Sequence, residues 1–274
     1  MSEQIIPNLQ KDKIIEYISK GKRLDGRKLE EYRDMEVELG VSENAEGSVR
    51  VRFGKTEVFA GVKMAVTEPY PDSPNAGTFM TTVELHPMAS EGYEIGKPGI
   101  ESVEIARVID RGIRESGFID FEKLCITPGE KVWQVFLDIF AVNDDGNLLD
   151  VAGLASLIAL GHAKMPKYNK TEGKIEQELT KESLPLNEDA LAFNMTFHKI
   201  GDSIALDVST EEEAISDFRV SMAIGDNKGK PRITAMQKGK AGAISQSDME
   251  KILNLAKDSY KELFPKVKKY VFSK

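Results

Sequence analysis

The chain carries a single cysteine, Cys125, in 274 residues. That excludes an internal disulfide framework and any zinc cage built from thiolates. Set between Leu124 and Ile126, the thiol reads as a small buried apolar residue. Histidine is nearly as scarce. His86, His162 and His198 lie far apart, none at metal-ligand spacing from another, and each reads as structural or surface. Long apolar runs are missing as well. The longest, Leu148 to Ala163, contains Asp150 and His162 and is too short to cross a bilayer. Met1-Ser2-Glu3-Gln4 has neither the basic start nor the apolar core of a signal peptide. A soluble, cytoplasmic chain without a membrane partner is expected. Phosphate loops are absent too: Gly225-Asp226-Asn227-Lys228-Gly229 and Gly239-Lys240-Ala241-Gly242 are turn compositions without the required spacing. No Gly-x-Ser-x-Gly turn occurs. No cofactor or metal is implied.

Positive charge is in the minority, with 37 Lys and Arg against 45 Asp and Glu and a net charge of −8. Such a balance argues against a chain that coats nucleic acid with its whole surface, though not against a local cationic site. What is present is ordinary globular material, 41% hydrophobic and 30% charged, long enough for one large domain or two modest ones.

The apolar spacing predicts a helix from Asn8 to Gly21, built on Ile14, Ile15 and Ile18, with Gly21 as its C-cap. The period then changes to two. Met35–Val41, Val49–Phe53, Glu57–Val66 and Phe79–Leu85 read as strands, with a proline-rich loop from Pro69 to Gly77. Ile105, Ile109 and Ile113 mark a helix from Ile100 to Ser116. Leu124–Thr127 and Lys131–Val142 are further strands. Leu148–Lys164 is apolar on nearly all sides, which implies a buried helix. The stretch Lys167 to Leu186 is polar, with alternating Lys and Glu, and reads as a boundary. Beyond it lie strands over Ala190–Ile200, Ile204–Val208, Phe218–Ile224 and Arg232–Gln237. A final helix is expected from Ser247, with Ser247-Asp248-Met249-Glu250 as its capping box and Pro265 kinking or shortening it. The sum is an α+β chain of two subdomains. Its expected divisions are an N-terminal helix at 1–21, a first subdomain at 22–166, a linker at 167–189 and a second subdomain at 190–274.

Two groups of residues could carry chemistry. Of only ten arginines, Arg107, Arg111 and Arg114 recur at i, i+4 and i+7 on one helix face. Such a stripe can track a phosphate backbone, because a guanidinium binds phosphate through two parallel hydrogen bonds. The plainer reading is a solvated face with ion pairs from Glu104 to Arg107 and Asp110 to Arg114. Glu211-Glu212-Glu213, with Asp207 and Asp217, could converge on a hydrolytic metal ion. The plainer reading is a solvated turn leading into a strand.

Arg23-Leu24-Asp25-Gly26-Arg27 followed by Arg33 resembles the entry motif of the RNase PH family. Asn75-Ala76-Gly77 leading to Val83-Glu84-Leu85-His86-Pro87-Met88-Ala89 is similar to its third and fourth strands, and Glu104-Ile105-Ala106-Arg107-Val108-Ile109-Asp110-Arg111 to the helix that follows. The resemblance runs from about Lys22 to Phe264 and is greatest to the non-catalytic RNase PH-like subunits of the archaeal exosome core. The family implies phosphorolysis, in which inorganic phosphate attacks the terminal 3′ phosphodiester of RNA. Fixed cations and backbone donors must then offset the repulsion between two anions. This chain departs at each expected point. Ser102 and Val103 stand where an arginine pair belongs. Asp150-Val151-Ala152-Gly153-Leu154 replaces a Gly-Ser/Thr-Arg turn. Ala214-Ile215-Ser216-Asp217 replaces an acidic pair, with only Asp217 in place. The resemblance therefore implies a non-catalytic ring subunit acting in 3′-to-5′ RNA degradation. Its partners would be a catalytic RNase PH-like subunit, in a hexameric ring of three heterodimers, RNA-binding cap proteins and single-stranded RNA. Arg107, Arg111 and Arg114 would support that RNA. The alternative is an active phosphorolytic 3′-5′ exoribonuclease.

Overall fold

The structure, a computed structural model, describes residues 8–169, 173–227 and 230–273. The reading of Met1 to Gln4, and Lys228 and Gly229 of the glycine-rich turn, fall outside these residues.

Six strands form the first sheet: β1 (Met35–Leu39), β2 (Gly47–Phe53), β3 (Thr56–Thr67), β4 (Thr78–Leu85), β5 (Cys125–Thr127) and β6 (Lys131–Asn143). Their order is β1-β2-β3-β6-β4, with β5 on β6. Only β4 runs parallel to its neighbour, β6. The connection between them carries α2 (Ile100–Ser116), the kind of long crossover that a parallel pair requires. The alternation puts Val58, Ala60, Val62 and Met64 beside Ala141, Ile139, Leu137 and Val135 on one buried face. Against that face lies α3 (Leu148–His162), buried throughout from Leu148 to Leu160, as its all-round apolarity demands.

The second sheet is antiparallel, in the order β10-β9-β11-β12, from β9 (Ala192–Ile200), β10 (Ser203–Leu206), β11 (Phe218–Asn227) and β12 (Lys230–Gly239). The C-terminal helix, α5 (Gln246–Phe272), buries Ile252, Ala256, Tyr260, Leu263, Val267 and Val271. One continuous core joins both sheets to α2, α3 and α5. The N-terminal helix α1 (Asn8–Ser19) has a small core of its own, with Ile14 and Ile18 against Ile200, Ala205 and Val208. At Gly161 a Cβ would sit 2.2 Å from the Val271 carbonyl oxygen, so α3 and α5 touch where neither can give way. Gly161→Ala is expected to cost about 1–3 kcal/mol of stability through overpacking. A urea titration with an unchanged slope checks this.

Several local readings need correction. The polar stretch from Lys167 contains a two-stranded hairpin, β7 (Lys164–Asn169) with β8 (Lys174–Ser183). Alternating charges there follow the strand period. The box that caps α5 is Ser245 with Asp248, not Ser247 with Glu250. Ser245 Oγ accepts from the Asp248 N–H at 3.1 Å, and the Asp248 carboxylate accepts from the Ser245 N–H at 3.1 Å. Lys199 fixes that carboxylate through bonds of 2.9 and 2.8 Å. Pro265 lies inside α5, which continues to Phe272. Glu211 to Glu213 belong to a short helix, α4 (Thr210–Ile215), capped by Ser209, and not to a turn and strand. Cys125 is half-buried rather than a core residue.

A polar clasp holds the two sheets in register. Asp207, fully buried at φ 44°, is its centre. Its Oδ2 accepts from Arg27 Nη1 at 2.9 Å, the Arg33 N–H at 2.7 Å and Arg33 Nε at 2.9 Å. Its Oδ1 accepts from Arg33 Nη2 at 2.7 Å and Asn147 Nδ2 at 2.9 Å. Arg33 also donates to the carbonyls of Asp145 and Gly146, just before α3. Arg23, equally buried, pairs with Glu212 of α4 and donates to the Leu206 and Asp207 carbonyls. Burial alone would raise the Asp207 pKa, but the hydrogen bonds and charge of Arg33 hold it below the usual carboxylate range.

Candidate nucleic-acid interface

α2 spans the join between the sheets. It buries Ile105, Val108, Ile109, Gly112 and Ile113 and ends at Gly117, whose φ of 76° gives the left-handed turn that glycine tolerates. A Cβ at Gly112 would stand 3.1 Å from the Ala223 Cβ, so the helix lies directly on β11. The opposite face is exposed and carries all three predicted arginines. They differ in environment. Arg107 and Arg111 have neither a hydrogen bond nor an ion pair among the described residues. Arg114 is anchored: its Nε donates to Asp110 Oδ2 at 2.7 Å, its Nη2 to the Phe79 carbonyl, and it lies 5.4 and 5.7 Å from the Phe79 and Phe121 ring centres. Glu104 turns away from Arg107 and pairs with Arg219 of β11.

Polar side chains gather around the N-terminal end of α2. Ser102 is buried there, its hydroxyl donating to the Gly99 carbonyl at 3.0 Å, while Val103 is exposed. Several of these polar side chains are carboxylates close enough to act on one another. The Tyr93 hydroxyl donates to Asp144 Oδ2 at 2.5 Å. Desolvation, and then the charge of Asp144, raise the pKa of both Glu101 and Glu213. The nearby cations are engaged: Arg219 by Glu104, and Lys240 by the carbonyls of Glu213 and Ser216. His198 is buried beside them with Nδ1 3.1 Å from Ser216 Oγ, and desolvation holds its pKa well below the usual value. An inorganic phosphate entering here would meet an acidic wall and no uncommitted guanidinium.

The start of α3 offers no anion site either. Leu154 is buried, and a Cβ on Gly153 would lie 2.7 Å from Asn194 Nδ2. Asp150 accepts from the Thr196 N–H at 3.0 Å, Thr196 Oγ1 at 2.6 Å and the Tyr32 hydroxyl at 3.2 Å, so it joins α3 to β9. Burial, opposed by the Thr196 bonds, pushes its pKa up to about 7. The folded chain therefore holds this proton where the unfolded chain has released it. The resulting stability is full below about pH 4 and is lost as the pH rises through 7, at up to about 1.4 kcal/mol per pH unit. Asp150→Asn, permanently neutral, is expected to flatten that decline. Urea titrations from pH 5 to 8 measure it, and an equally steep variant contradicts it.

Of the acidic group, Asp207 and Glu212 are neutralised by arginines, and Asp217 accepts from the Gly201 N–H at 3.1 Å. Among the described residues no three His, Cys, Asp or Glu side chains stand in metal-binding geometry. Nor is any helix of the described residues long and apolar enough to cross a membrane. Sequence reasoning missed the clasp. Its one visible signal was Arg23, Arg27 and Arg33 crowded together in an arginine-poor chain.

Residues 31–166 match the description "3' exoribonuclease family, domain 1" and residues 193–259 match "3' exoribonuclease family, domain 2". The chain is 43% identical over 272 residues to the exosome complex component Rrp42 of Thermococcus kodakarensis, covering 99% of each. It is 43% identical over 260 residues to the same component of Methanothermobacter thermautotrophicus, covering 94% of each. A chain of the Archaeoglobus fulgidus exosome, solved with RNA bound to the active site, superposes with a TM-score of 0.84 at 36% identity, over 94% of this chain and 98% of that one. A chain of an archaeal exosome core gives 0.80 at 34% identity, over 95% and 97%. With both halves matched and near-complete coverage of these relatives, the chain belongs to the RNase PH family of 3′ exoribonuclease-like proteins.

Proposed function

We propose that this chain is a non-catalytic ring subunit of an archaeal-type exosome. It structures the active site of a catalytic RNase PH-like partner and lends it cations for RNA in 3′-to-5′ degradation. The ring is a hexamer of three heterodimers, which RNA-binding cap proteins join, and it works in the cytoplasm. The division into two RNase PH-like subdomains with a junction at 167–189 belongs to the same reading.

One observation carries it. Where active family members hold RNA phosphates stand Ser102 and Val103, and where they hold the attacking phosphate stands Leu154, none of them cationic, while Arg107 and Arg111 stand unpaired on an exposed helix face. The chain can thus support a polyanion but cannot gather the two anions of phosphorolysis by itself. Arg114 completes the stripe. Its guanidinium is engaged by Asp110 and Phe79, so it adds positive potential more than a new contact.

The test is the salt dependence of RNA binding by the assembled ring. Each single-strand phosphate contact contributes about 0.7 to the slope of log K against log salt. Arg107→Ala with Arg111→Ala is expected to lower the slope by roughly 1.4 per copy engaged on the RNA. An unchanged slope would remove these residues from the RNA path.

A further inference from the structure

On a helix, a carboxylate pairs best with a cation three or four residues after it. The two then share one face, and the order suits the helix dipole. Asp110 stands four residues before Arg114, and that pair forms, at 2.7 Å. Three and four residues before Arg111 stand Val108 and Arg107, which offer no negative charge. Three and four residues before Arg107 stand Glu104 and Val103. Glu104 is therefore the one carboxylate of α2 in the favourable order for either unpaired arginine. Asp110 follows Arg107 and Glu115 follows Arg111, which is the poorer order, and Asp110 is already held by Arg114.

Glu104 does not take its local partner. Its Oε1 accepts from Nη2 of Arg219, 115 residues away on β11, at 2.5 Å. Arg219 is built into that place. Its side chain is only 14% exposed. It lies between β9 and β12, opposite His198 on one strand and Gly239 on the other. A Cβ at Gly239 would stand 2.7 Å from Arg219 Nε and Nη2 and 3.0 Å from Cζ, so the guanidinium occupies the space that a side chain there would fill. An exposed pair one helical turn apart is weak, and a guanidinium already fixed by packing loses less freedom on pairing, so the distant partner wins.

We propose that Arg219 is a positioning residue for RNA: by holding Glu104 against β11, it keeps the Arg107 guanidinium free for a phosphate. The inference rests on the RNA reading above. Without Arg219, Glu104 turns to Arg107 on its own helix face. A phosphate must then compete with an internal carboxylate for the same N–H donors, and it meets that negative charge at about 6 Å.

Arg219→Gln in the assembled ring, followed over a salt series, is the test. RNA affinity is expected to fall about 5-fold at moderate salt, and the slope of log K against log salt by up to about 0.7, one phosphate contact. Adding Glu104→Gln should return both to the parent values, since no carboxylate is left to occupy Arg107. Adding Glu101→Gln instead restores the same net charge six residues from Arg107, out of pairing reach, and should return neither. In a ring carrying Arg107→Ala, Arg219→Gln should change nothing further. Circular dichroism and sedimentation check fold and assembly. Should Arg219→Gln not assemble, Gly239→Ala carries the same test, because its Cβ displaces the guanidinium without altering any charge, and Glu104→Gln should reverse its effect. An assembled Arg219→Gln ring with the parent slope overturns the proposal. So does equal rescue by Glu101→Gln, which would reduce the effect to net charge. If Arg107→Ala with Arg111→Ala leaves the slope unchanged, the RNA reading itself fails. If that pair lowers the slope and Arg219→Gln does not, only this inference fails.

Discussion

Replacing Asp207 by alanine is expected to lower the free energy of unfolding by about 3–5 kcal/mol, the largest effect of any single substitution away from the apolar core. The carboxylate accepts five hydrogen bonds, four of them from Arg27 and Arg33. Both guanidinium groups are mostly out of water, with 13% and 9% of their side chains exposed. Removing the anion leaves Arg27 with only the partly exposed Asp25, at 2.7 Å, and Arg33 with only Asp145, at 3.6 Å. Domain stabilities are typically about 5–15 kcal/mol, so the loss should be visible as a large shift in urea midpoint at pH 7. Acid should do the same to the unaltered protein. Asp207 has a folded-state pKa below its unfolded value, so its contribution is present above about pH 4 and is lost as the pH falls through the folded value. That dependence is opposite in sign to that of Asp150. A loss below about 1 kcal/mol in Asp207→Ala would show that the clasp does not hold the sheets together.

Reversing charge at Arg107 and Arg111 together should weaken RNA binding by the assembled ring by about 100-fold or more at moderate salt, without altering ring assembly. Two unpaired cations become two anions beside a phosphate chain, so attraction is replaced by repulsion. Truncation at Arg114 separates the roles along the stripe. Arg114→Ala should cost little RNA affinity but should lower the thermal midpoint, because Asp110 and the Phe79 carbonyl lose their donor. Filter binding across a salt series, with sedimentation of the ring as control, measures both. An RNA loss for Arg114→Ala equal to that of the reversed pair would contradict this division.

Where burial has a period, the chain was readable. The strands around Val58 to Met64 and Val135 to Ala141 alternate because one face is covered, and α3 is apolar all round because it is enclosed. The hairpin β7–β8 and helix α4 were not readable, because charged residues carry little burial signal. Glu212 looked solvated although it is buried. Its partner Arg23 lies 189 residues away, and Asp207 lies 174 residues from Arg33. No local pattern encodes pairs so distant. The arginine stripe was legible as one face at i, i+4 and i+7. Sequence spacing could not say that Glu104 would choose Arg219 over Arg107, since that depends on how α2 settles on β11. The family resemblance rested on the order of several weak motifs along the chain, and the two matched family regions cover the same ground.

Phosphate-dependent decay of a 3′-labelled RNA, followed for the pure chain and again after mixing with the catalytic RNase PH-like subunit, tests the central claim most directly. The chain alone should release no nucleoside diphosphate at any phosphate concentration. The mixture should sediment as a ring and degrade the RNA, with slower decay when Arg107 and Arg111 are replaced. Nucleoside diphosphate released by the chain alone would contradict the claim, as would a mixture in which this chain neither assembles nor changes the partner's rate.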